Sequence, residues 1–187
     1  IDSRAGRTLN ANDVKHAQAL LVRSVTKVND VLLESSPVEF VGSATIGTDH
    51  LDIQMLEQRG ITWSNAAGCN AQAVAEYVIT ALLHVRPELL DANSQFTLGI
   101  VGLGNVGTRL AYMAKLLGWS VIGCDPFVVR EQIEQVEFPQ LLKQADAISI
   151  HVPLTEQGKH PTYHLFNADA LAQMKPNAIL INSARGP

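Results

Sequence analysis

The sequence has few charged residues and no excess of positive charge. Of its 187 residues 17% are charged, and 14 Lys and Arg against 18 Asp and Glu leave a formal net charge of −4. An acidic balance argues against binding to nucleic acid, which depends on clustered Lys and Arg. Because 47% of the residues are hydrophobic, the chain can bury a large core, and a disordered chain is excluded.

Long apolar runs and cysteines are also scarce. The longest stretch without a charged residue, 92–108, contains Asn, Ser, Gln and several Gly, and it is shorter than the about 20 apolar residues that span a bilayer.

Cys69 and Cys124 are far apart, so we expect neither a disulfide framework nor a zinc site. No His, Cys or carboxylate pairs stand at metal-ligand spacing on one predicted element, so we expect no metal. We expect a cytoplasmic protein without membrane partners.

Seven apolar runs of strand length alternate with segments of helical period. Continuous β-branched runs are typical of strands covered on both faces, and their alternation with helices predicts an α/β fold with parallel sheets. One long helix is predicted over 70–85, and the apolar spacing of Val106, Leu110 and Leu117 predicts another. The predicted strands are 19–24, 39–45, 61–66, 97–102, 119–125, 147–153 and 178–184.

A polar segment with a proline at its second position, 86–95, follows the long helix. We therefore expect two domains, 1–90 and 91–187, each with its own parallel sheet and with the long helix bridging them. A single seven-stranded sheet is the alternative. The chain shows no visible targeting leader. It begins at Ile1 instead of Met and stops directly after the last predicted strand, so we expect it to be truncated at both ends.

A glycine-rich turn follows the fourth predicted strand. The sequence GIVGLGNVG places Gly102, Gly104 and Gly107 in the spacing G-x-G-x-x-G, between that strand and a helix. Gly102 permits a tight turn, Gly104 lets the backbone approach a pyrophosphate, and Gly107 allows close packing of helix on strand. The helix start, with Asn105 and Val106, offers free N–H groups and a positive dipole end to phosphates. The motif predicts a dinucleotide site.

The fifth predicted strand ends in Asp125. Sites of this kind place a carboxylate there to accept both ribose hydroxyls of the adenosine. A carboxylate also repels a 2′-phosphate, and Pro126 and Phe127 follow it instead of basic residues, so NAD is favoured over NADP. The alternative is structural: the glycines would serve a tight turn, and Asp125 would cap a loop.

Six segments of the chain have a recognisable pattern: VRSVTKVN (22–29), GSATIGTDHLD (42–52), NAAGCNAQAVAEY (65–77), GIVGLGNVG (99–107), HVPLT (151–155) and MKPNAILINSARG (174–186). Together they resemble the D-isomer-specific 2-hydroxyacid dehydrogenases. Within that family, TDH at 48–50 and GCN at 68–70 differ from phosphoglycerate dehydrogenases and resemble another subfamily that acts on a small phosphorylated 2-hydroxy acid. The resemblance implies a partial flavodoxin-like substrate domain, an NAD-binding Rossmann domain and a homodimer.

The resemblance also implies roles for single residues. Arg185 is implied to be the catalytic arginine, and a guanidinium fork can hold a substrate carboxylate and polarise the developing carbonyl. Ser24 and Thr45, each near the end of a predicted strand, are implied to contact the substrate. Ordinary capping and turn chemistry is the alternative for both. Contacts to the cofactor are implied for Val152, Ser183 and Ala184.

Hydride transfer from a hydroxyl also needs a base. His151 stands at the end of a predicted strand, where a base could act. The resemblance, however, implies a catalytic Glu and His beyond Pro187, so we expect His151 to line the cofactor pocket. Three further histidines are expected at the surface or in caps, namely His16, His50 and His84.

We therefore expect an NAD-dependent oxidoreductase that acts on a small phosphorylated 2-hydroxy acid. One alternative is a related dehydrogenase that acts on phosphoglycerate or a smaller acid. Another is a catalytically silent module that binds NAD as a sensor, because the expected base is missing from the chain.

Overall fold

The predicted strands pair in two separate parallel sheets. A computed structural model describes residues 1–91 and 95–184, and the chain divides into two units, Ile1–Cys69 and Asn70–Pro187. One sheet has three strands and the other has five. The α/β class with two parallel sheets is confirmed, and the alternative of one seven-stranded sheet is wrong.

The first unit consists of three short parallel strands and two short helices. The helices and strands are α1 (Ala11–Val14), β1 (Ala19–Val22), β2 (Phe40–Ser43), α2 (Ile53–Gln58) and β3 (Thr62–Asn65). The strand order is β1-β2-β3, and Val22 pairs with Ser43 in register. Buried Leu33, Val41 and Leu56 form part of one apolar core. This pairing brings the carboxyl ends of β1 and β2 side by side.

The second unit has a longer sheet covered by helices. Its elements are α3 (Ala71–Val85), a 3₁₀ helix (Pro87–Leu90), β4 (Thr97–Val101), α4 (Asn105–Leu116), β5 (Ser120–Cys124), β6 (Glu134–Gln135), α5 (Phe138–Gln144), β7 (Ala147–Ile150), α6 (Ala168–Gln173) and β8 (Ile179–Asn182). The order is β6-β5-β4-β7-β8, and every pair is parallel. All four residues of β7 are buried, as expected for a strand covered on both faces.

The strand order reverses direction at β4. The chain runs from β4 outward to β5 and β6, and then returns to the other side of β4 to add β7 and β8. At such a switch point, the connections leave β4 and β7 on opposite faces and open a crevice beyond their carboxyl ends. The glycine-rich turn begins at this edge, directly after Val101.

The long predicted helix forms α3 and packs in the second unit. Ala75, Val78 and Leu82 share one face and join the same core as Leu98 and Leu110. The second unit therefore starts at Asn70, before the helix. The functional division of the chain at 90/91 stays a prediction.

Most predicted strands extend one or two residues beyond the observed ones. The strand β6 has no apolar run that would predict it, because it consists of two polar residues that pair with β5. Across the ranges that the structure describes, no helix combines the length and the apolar character needed to cross a membrane.

Candidate functional site

The turn between β4 and α4 has two positions at which only glycine fits. Gly102 has a φ of +93°, and a Cβ there would lie 2.8 Å from the carbonyl oxygen of His151. A Cβ on Gly107 would lie 2.0 Å from the carbonyl oxygen of Gly102. Both positions exclude a side chain, because β7 packs against the turn on one side and α4 folds back on it from the other.

Gly104 differs from these two glycines. Its φ of −73° suits any residue, and within the described chain no atom lies closer than 4 Å to the position of a Cβ. A side chain here would project into open space instead of into the protein. The open space leaves the backbone at Gly104 accessible, as the close approach of a pyrophosphate requires.

The N-terminus of α4 is open to an anion. Gly104 is its N-cap residue, and none of the side chains in the described ranges caps this helix start. The first backbone N–H groups of a helix have no partner inside the helix, and they carry the positive end of its dipole. The groups on Asn105, Val106 and Gly107 can therefore hold a diphosphate, so this turn fits a dinucleotide.

Asp125 follows β5 and binds backbone N–H groups on two sides. Its Oδ2 accepts from the N–H of Leu103 at 2.7 Å, inside the glycine-rich turn. Its Oδ1 accepts from the N–H groups of Phe127 at 2.9 Å and Val128 at 3.1 Å. A carboxylate has about four lone-pair positions, so one position on Oδ2 is left for a further donor.

Arg130 holds the same turn from the other side of the Leu103 peptide. Its Nε lies 3.3 Å from the carbonyl oxygen of Leu103 and 3.2 Å from Oγ1 of Thr108. The Thr108 hydroxyl itself donates to the Leu103 carbonyl at 2.8 Å. Leu103 is thus bound through both its N–H and its carbonyl. The sequence analysis missed Arg130, because only the tertiary fold brings it to the glycines.

His151 lies at the carboxyl end of β7 with both ring nitrogens hydrogen-bonded. Its Nε2 is 2.9 Å from Oγ of Ser149, and its Nδ1 is 3.2 Å from Oγ of Ser183. Burial lowers the pKa of His151 from 6.5 to about 4. The ring is therefore neutral near pH 7, and it links the ends of β7 and β8 at the edge that faces the crevice.

A cavity of about 230 Å³ opens beside the ends of β7 and β8. Its lining includes Val152, Pro153, Leu165, Phe166 and Ala184. The cavity is smaller than the roughly 300–1,000 Å³ of most small-molecule sites. Apart from Val152 and Ala184, it does not include the residues predicted to bind the cofactor, so we give more weight to the glycine-rich turn as the nucleotide site.

In the first unit, Ser24 and Thr45 lie at matching positions. Each follows, by two residues, one member of the register pair Val22 and Ser43, so both stand at the same edge of the sheet. Ser24 is exposed and Thr45 is half-buried. The Thr45 hydroxyl contacts Oγ of Ser43 at 2.7 Å and the carbonyl oxygen of Gly47 at 3.1 Å. Whether they contact a substrate stays a prediction.

His50 supports this group from inside the fold. Its Nε2 lies 2.9 Å from Oγ of Ser43, which in turn contacts Thr45. The expectation that His50 lies at the surface is wrong, because its side chain is buried. The hydroxyl of Ser43 at the end of β2 is a partner for one of its ring nitrogens. His16 and His84 are exposed as expected.

Comparison with known proteins identifies the family. Residues 84–187 match the family described as D-isomer specific 2-hydroxyacid dehydrogenase, NAD binding domain. The chain belongs to this family. The glycine-rich turn, α4 and Asp125 all lie within the matched residues, so the site described above is in an NAD-binding domain of the D-isomer specific 2-hydroxyacid dehydrogenases.

Named relatives and solved structures agree with this assignment. An erythronate-4-phosphate dehydrogenase from Acinetobacter baumannii is 68% identical over 187 residues, which are 100% of this chain and 53% of the relative. The chain thus spans about half the length of the curated relatives it matches. An acyclic imino acid reductase in complex with NADPH and D-Arg has a TM-score of 0.78 and 26% identity, covering 94% of this chain and 62% of that chain. A D-lactate dehydrogenase from Aquifex aeolicus, complexed with NAD and lactic acid, has a TM-score of 0.75 and 26% identity, covering 96% and 60%.

The other residues predicted from the likeness to D-isomer specific 2-hydroxyacid dehydrogenases lie near the ends of β7 and β8. A methyl group of Val152 would be 2.9 Å from a Cβ on Gly102. Ser183 contacts the His151 ring, and the N–H of Ala184 donates to Oδ1 of Asn182 at 3.0 Å. The predicted catalytic residue, Arg185, lies outside the described residues.

Proposed function

We propose that this chain is part of an NAD-dependent dehydrogenase that oxidises 4-phospho-D-erythronate at C2. The product would be the 2-oxo acid (R)-3-hydroxy-2-oxo-4-phosphooxybutanoate, in the biosynthesis of pyridoxal phosphate. The nicotinamide of NAD would accept the hydride. The open turn at Gly104, next to the uncapped start of α4, carries the proposal for the cofactor. The 68% identity to an erythronate-4-phosphate dehydrogenase supports the substrate.

The preference for NAD rests on Asp125. Its carboxylate stands at the end of β5 beside the glycine-rich turn, and Oδ2 keeps one acceptor position for a ribose hydroxyl. A 2′-phosphate at that position would bring two negative charges together, which disfavours NADP. We therefore propose one ribose contact through Oδ2, where the sequence suggested two.

Roles toward the substrate are proposed for three residues, Ser24, Thr45 and Arg185. Ser24 and the half-buried hydroxyl of Thr45 would bind the carboxylate or phosphate of the substrate. The interaction of Thr45 with Ser43, which contacts His50, supports a fixed orientation of its hydroxyl. Arg185 would hold the substrate carboxylate and polarise the forming carbonyl with its guanidinium fork. A Glu and a His beyond Pro187 would complete the acid–base chemistry.

We further propose a cytoplasmic homodimer. The two free cysteines suit a reducing compartment. Exposed Tyr112 and Leu116 lie one turn apart on α4, and they offer apolar surface to a second copy. Analytical ultracentrifugation of the purified protein tests the dimer, since a monomer at all concentrations would contradict it.

The activity is tested on the intact protein that carries this sequence. NAD reduction is followed by absorbance with 4-phospho-D-erythronate, 3-phosphoglycerate or D-lactate as substrate. We expect the highest kcat/KM with 4-phospho-D-erythronate, and we expect Arg185→Lys and Arg185→Ala both to lose about a hundredfold or more. A higher kcat/KM with another acid would show that the protein is a related dehydrogenase. Binding of NADH without turnover of any acid would show that it is an NAD sensor.

A further inference from the structure

Three polar side chains of the first unit form a hydrogen-bonded series, His50–Ser43–Thr45. Nε2 of His50 is 2.9 Å from Oγ of Ser43, and that hydroxyl is 2.7 Å from Oγ1 of Thr45. His50 and Ser43 are 8% and 5% exposed, whereas Thr45 is half-buried near the carboxyl end of β2. The series therefore runs from a buried imidazole out to the hydroxyl that we propose contacts the substrate.

Neighbouring segments hold the backbone at both ends of this series. The carbonyl oxygen of His50 accepts from the N–H of Val28 at 2.8 Å, in the loop after β1 that also contains Ser24. The carbonyl oxygen of Thr45 accepts from the N–H of Ala66, directly after β3, at 3.2 Å. Because both ends are held by the loops beside them, the three side chains keep their spacing.

The hydrogen bonds of the series have one consistent direction. A carbonyl oxygen only accepts, so the contact of 3.1 Å between Oγ1 of Thr45 and the Gly47 carbonyl uses the single proton of the Thr45 hydroxyl. The Ser43 hydroxyl must then supply the proton between the two hydroxyl oxygens. Because Ser43 has given its own proton, it can only accept from the imidazole, so Nε2 of His50 carries a proton.

We propose that His50 is a positioning residue, which acts through Ser43 to make the Thr45 hydroxyl a donor toward the substrate. This inference rests on the proposed contact between Thr45 and the carboxylate or phosphate of the substrate. When that group arrives, the Thr45 proton turns to it from the Gly47 carbonyl, because the bond from Ser43 occupies only a lone pair of the Thr45 oxygen. A hydrogen bond to an ionised acceptor is stronger than a bond to a carbonyl.

The other tautomer of His50 would have the opposite effect. With Nε2 unprotonated, the Ser43 hydroxyl would donate to the ring, and the contact of 2.7 Å would have to use the proton of Thr45. Thr45 would then offer the substrate only lone pairs, to which an ionised carboxylate or phosphate cannot donate. The position of one proton on a buried ring therefore decides whether Thr45 can bind an anion.

Nuclear magnetic resonance of the 187-residue chain tests this direction without any substrate. Long-range proton–nitrogen correlation spectra distinguish a protonated from an unprotonated ring nitrogen. The signals of His50 are identified as those that disappear in His50→Gln. We expect a proton on Nε2. An unprotonated Nε2 in the native chain would overturn the proposal, whether or not the proposed function is correct.

Kinetics of the intact protein that carries this sequence test the role toward the substrate, 4-phospho-D-erythronate. The variants are His50→Leu, His50→Gln, Ser43→Ala, Thr45→Val and the double variant of His50→Leu and Thr45→Val. Glutamine keeps an N–H donor in place of Nε2, whereas leucine fills the space without a donor. Ser36→Ala is the matched control, because the half-buried Ser36 hydroxyl donates to the Leu33 carbonyl at 3.1 Å and has no contact with the series. Thermal melts check that every variant is folded.

We expect His50→Leu and Ser43→Ala each to raise KM about tenfold, the size of one hydrogen bond to a charged group. The change in kcat should be small, because a group that does not react is bound equally in the ground state and the transition state. His50→Gln should stay within about threefold of the native KM, and Ser36→Ala should match the native protein. The double variant should lose no more than Thr45→Val alone, because His50 acts through Thr45.

Additive losses in the double variant, or the KM of the native protein in folded His50→Leu, would overturn the proposal. If His50→Leu does not fold, Ser43→Ala and its combination with Thr45→Val provide the same comparison. If the native protein turned over no hydroxy acid, the proposed function itself would fail. That result is distinct, because the spectra decide the direction of the series without turnover.

Discussion

The backbone N–H of Leu103 donates a hydrogen bond of 2.7 Å to Oδ2 of Asp125. This bond joins the middle of the glycine-rich turn to the end of β5. Two further N–H groups, on Phe127 and Val128, occupy Oδ1. The structural role and the proposed ribose contact therefore do not exclude each other. Asp125 uses one acceptor position to hold the turn and two to hold the loop after β5, and one position on Oδ2 stays available.

Replacement of Asp125 by alanine should weaken NADH binding. It should also reduce the ratio by which the chain binds NADH more tightly than NADPH. The variant loses the proposed ribose contact and the repulsion of a 2′-phosphate together. It also loses three hydrogen bonds to the backbone, so we expect a loss of about 2–3 kcal/mol in the free energy of unfolding. Calorimetric titration with NADH and NADPH, with urea unfolding in parallel, measures both effects.

Asp146→Ala is the matched control for this change. Asp146 also accepts from a backbone N–H, that of Thr97 at 2.8 Å, and it pairs with Lys175 at 2.7 Å. It precedes β7 and so lies at the amino edge of the sheet, opposite the glycine-rich turn. This control should lose stability and keep its NADH affinity. Equal NADH affinity in both variants would remove Asp125 from the site.

Gly104→Ala should bind the cofactor poorly with only a small loss of stability, since alanine is a weaker N-cap residue than glycine. The φ of −73° is allowed for alanine, and the new methyl group meets no atom of the described chain within 4 Å. If a diphosphate approaches the backbone there, the methyl group blocks it, and NADH affinity should fall about tenfold or more. Gly107→Ala is the contrast, because its Cβ would lie 2.0 Å from the Gly102 carbonyl oxygen and should destabilise the fold. Native NADH affinity in Gly104→Ala would place the diphosphate elsewhere.

Loss of the Arg130 side chain should loosen the turn that it holds. Arg130→Ala removes both Nε contacts, to the Leu103 carbonyl oxygen and to Thr108. We expect NADH to bind about threefold to tenfold more weakly, because the loosened turn must then become ordered upon binding, which costs free energy. Fluorescence titration measures this, with Arg59→Ala as control, since Arg59 donates to the Leu33 carbonyl in the first unit. If Arg130→Ala bound NADH with the dissociation constant of the native chain, the contacts of Arg130 with the turn would not contribute to binding.

The stability of the chain should depend on pH through His151. Burial lowers its pKa from 6.5 to about 4, so the unfolded chain binds a proton in this window that the folded chain does not. Stability is therefore lost as the pH falls from about 6.5 to about 4. In His151→Asn, the free energy of unfolding should fall by about 2 kcal/mol less than in the native chain between pH 7 and pH 4.5. Urea unfolding at several pH values makes the comparison; parallel curves for the two chains would mean that the folded ring titrates normally.

Much of the second unit can be predicted from the sequence, since its pattern is dominated by local physics. Continuous apolar runs such as 97–102 and 147–153 become buried parallel strands, and β4, β5, β7 and β8 each lie inside a predicted run. The glycines are also informative, because Gly102 and Gly107 occupy positions that exclude a Cβ. The polar segment 86–95 predicts that the strands pair in two separate sheets.

Features that depend on contacts distant in sequence were missed. His50 is buried with Ser43 as one hydrogen-bond partner, and nothing in the residues adjacent to His50 indicates this contact. The approach of Arg130 to Leu103 and the meeting of His160 with Phe127 both require the strand order to be known. Likewise, the alternative role of Asp125 as a cap anticipates its bonds to Phe127 and Val128, but not the bond from the distant N–H of Leu103.

The central claim is that the turn from Gly102 to Gly107 binds a dinucleotide, and calorimetric titration of NADH into the 187-residue chain tests it most directly. We expect saturable binding with one site per chain, competition by ADP-ribose, and a dissociation constant for NADPH that is at least about tenfold higher. The absence of saturable heat up to about millimolar NADH, which corresponds to roughly 4 kcal/mol of binding free energy, would contradict the account.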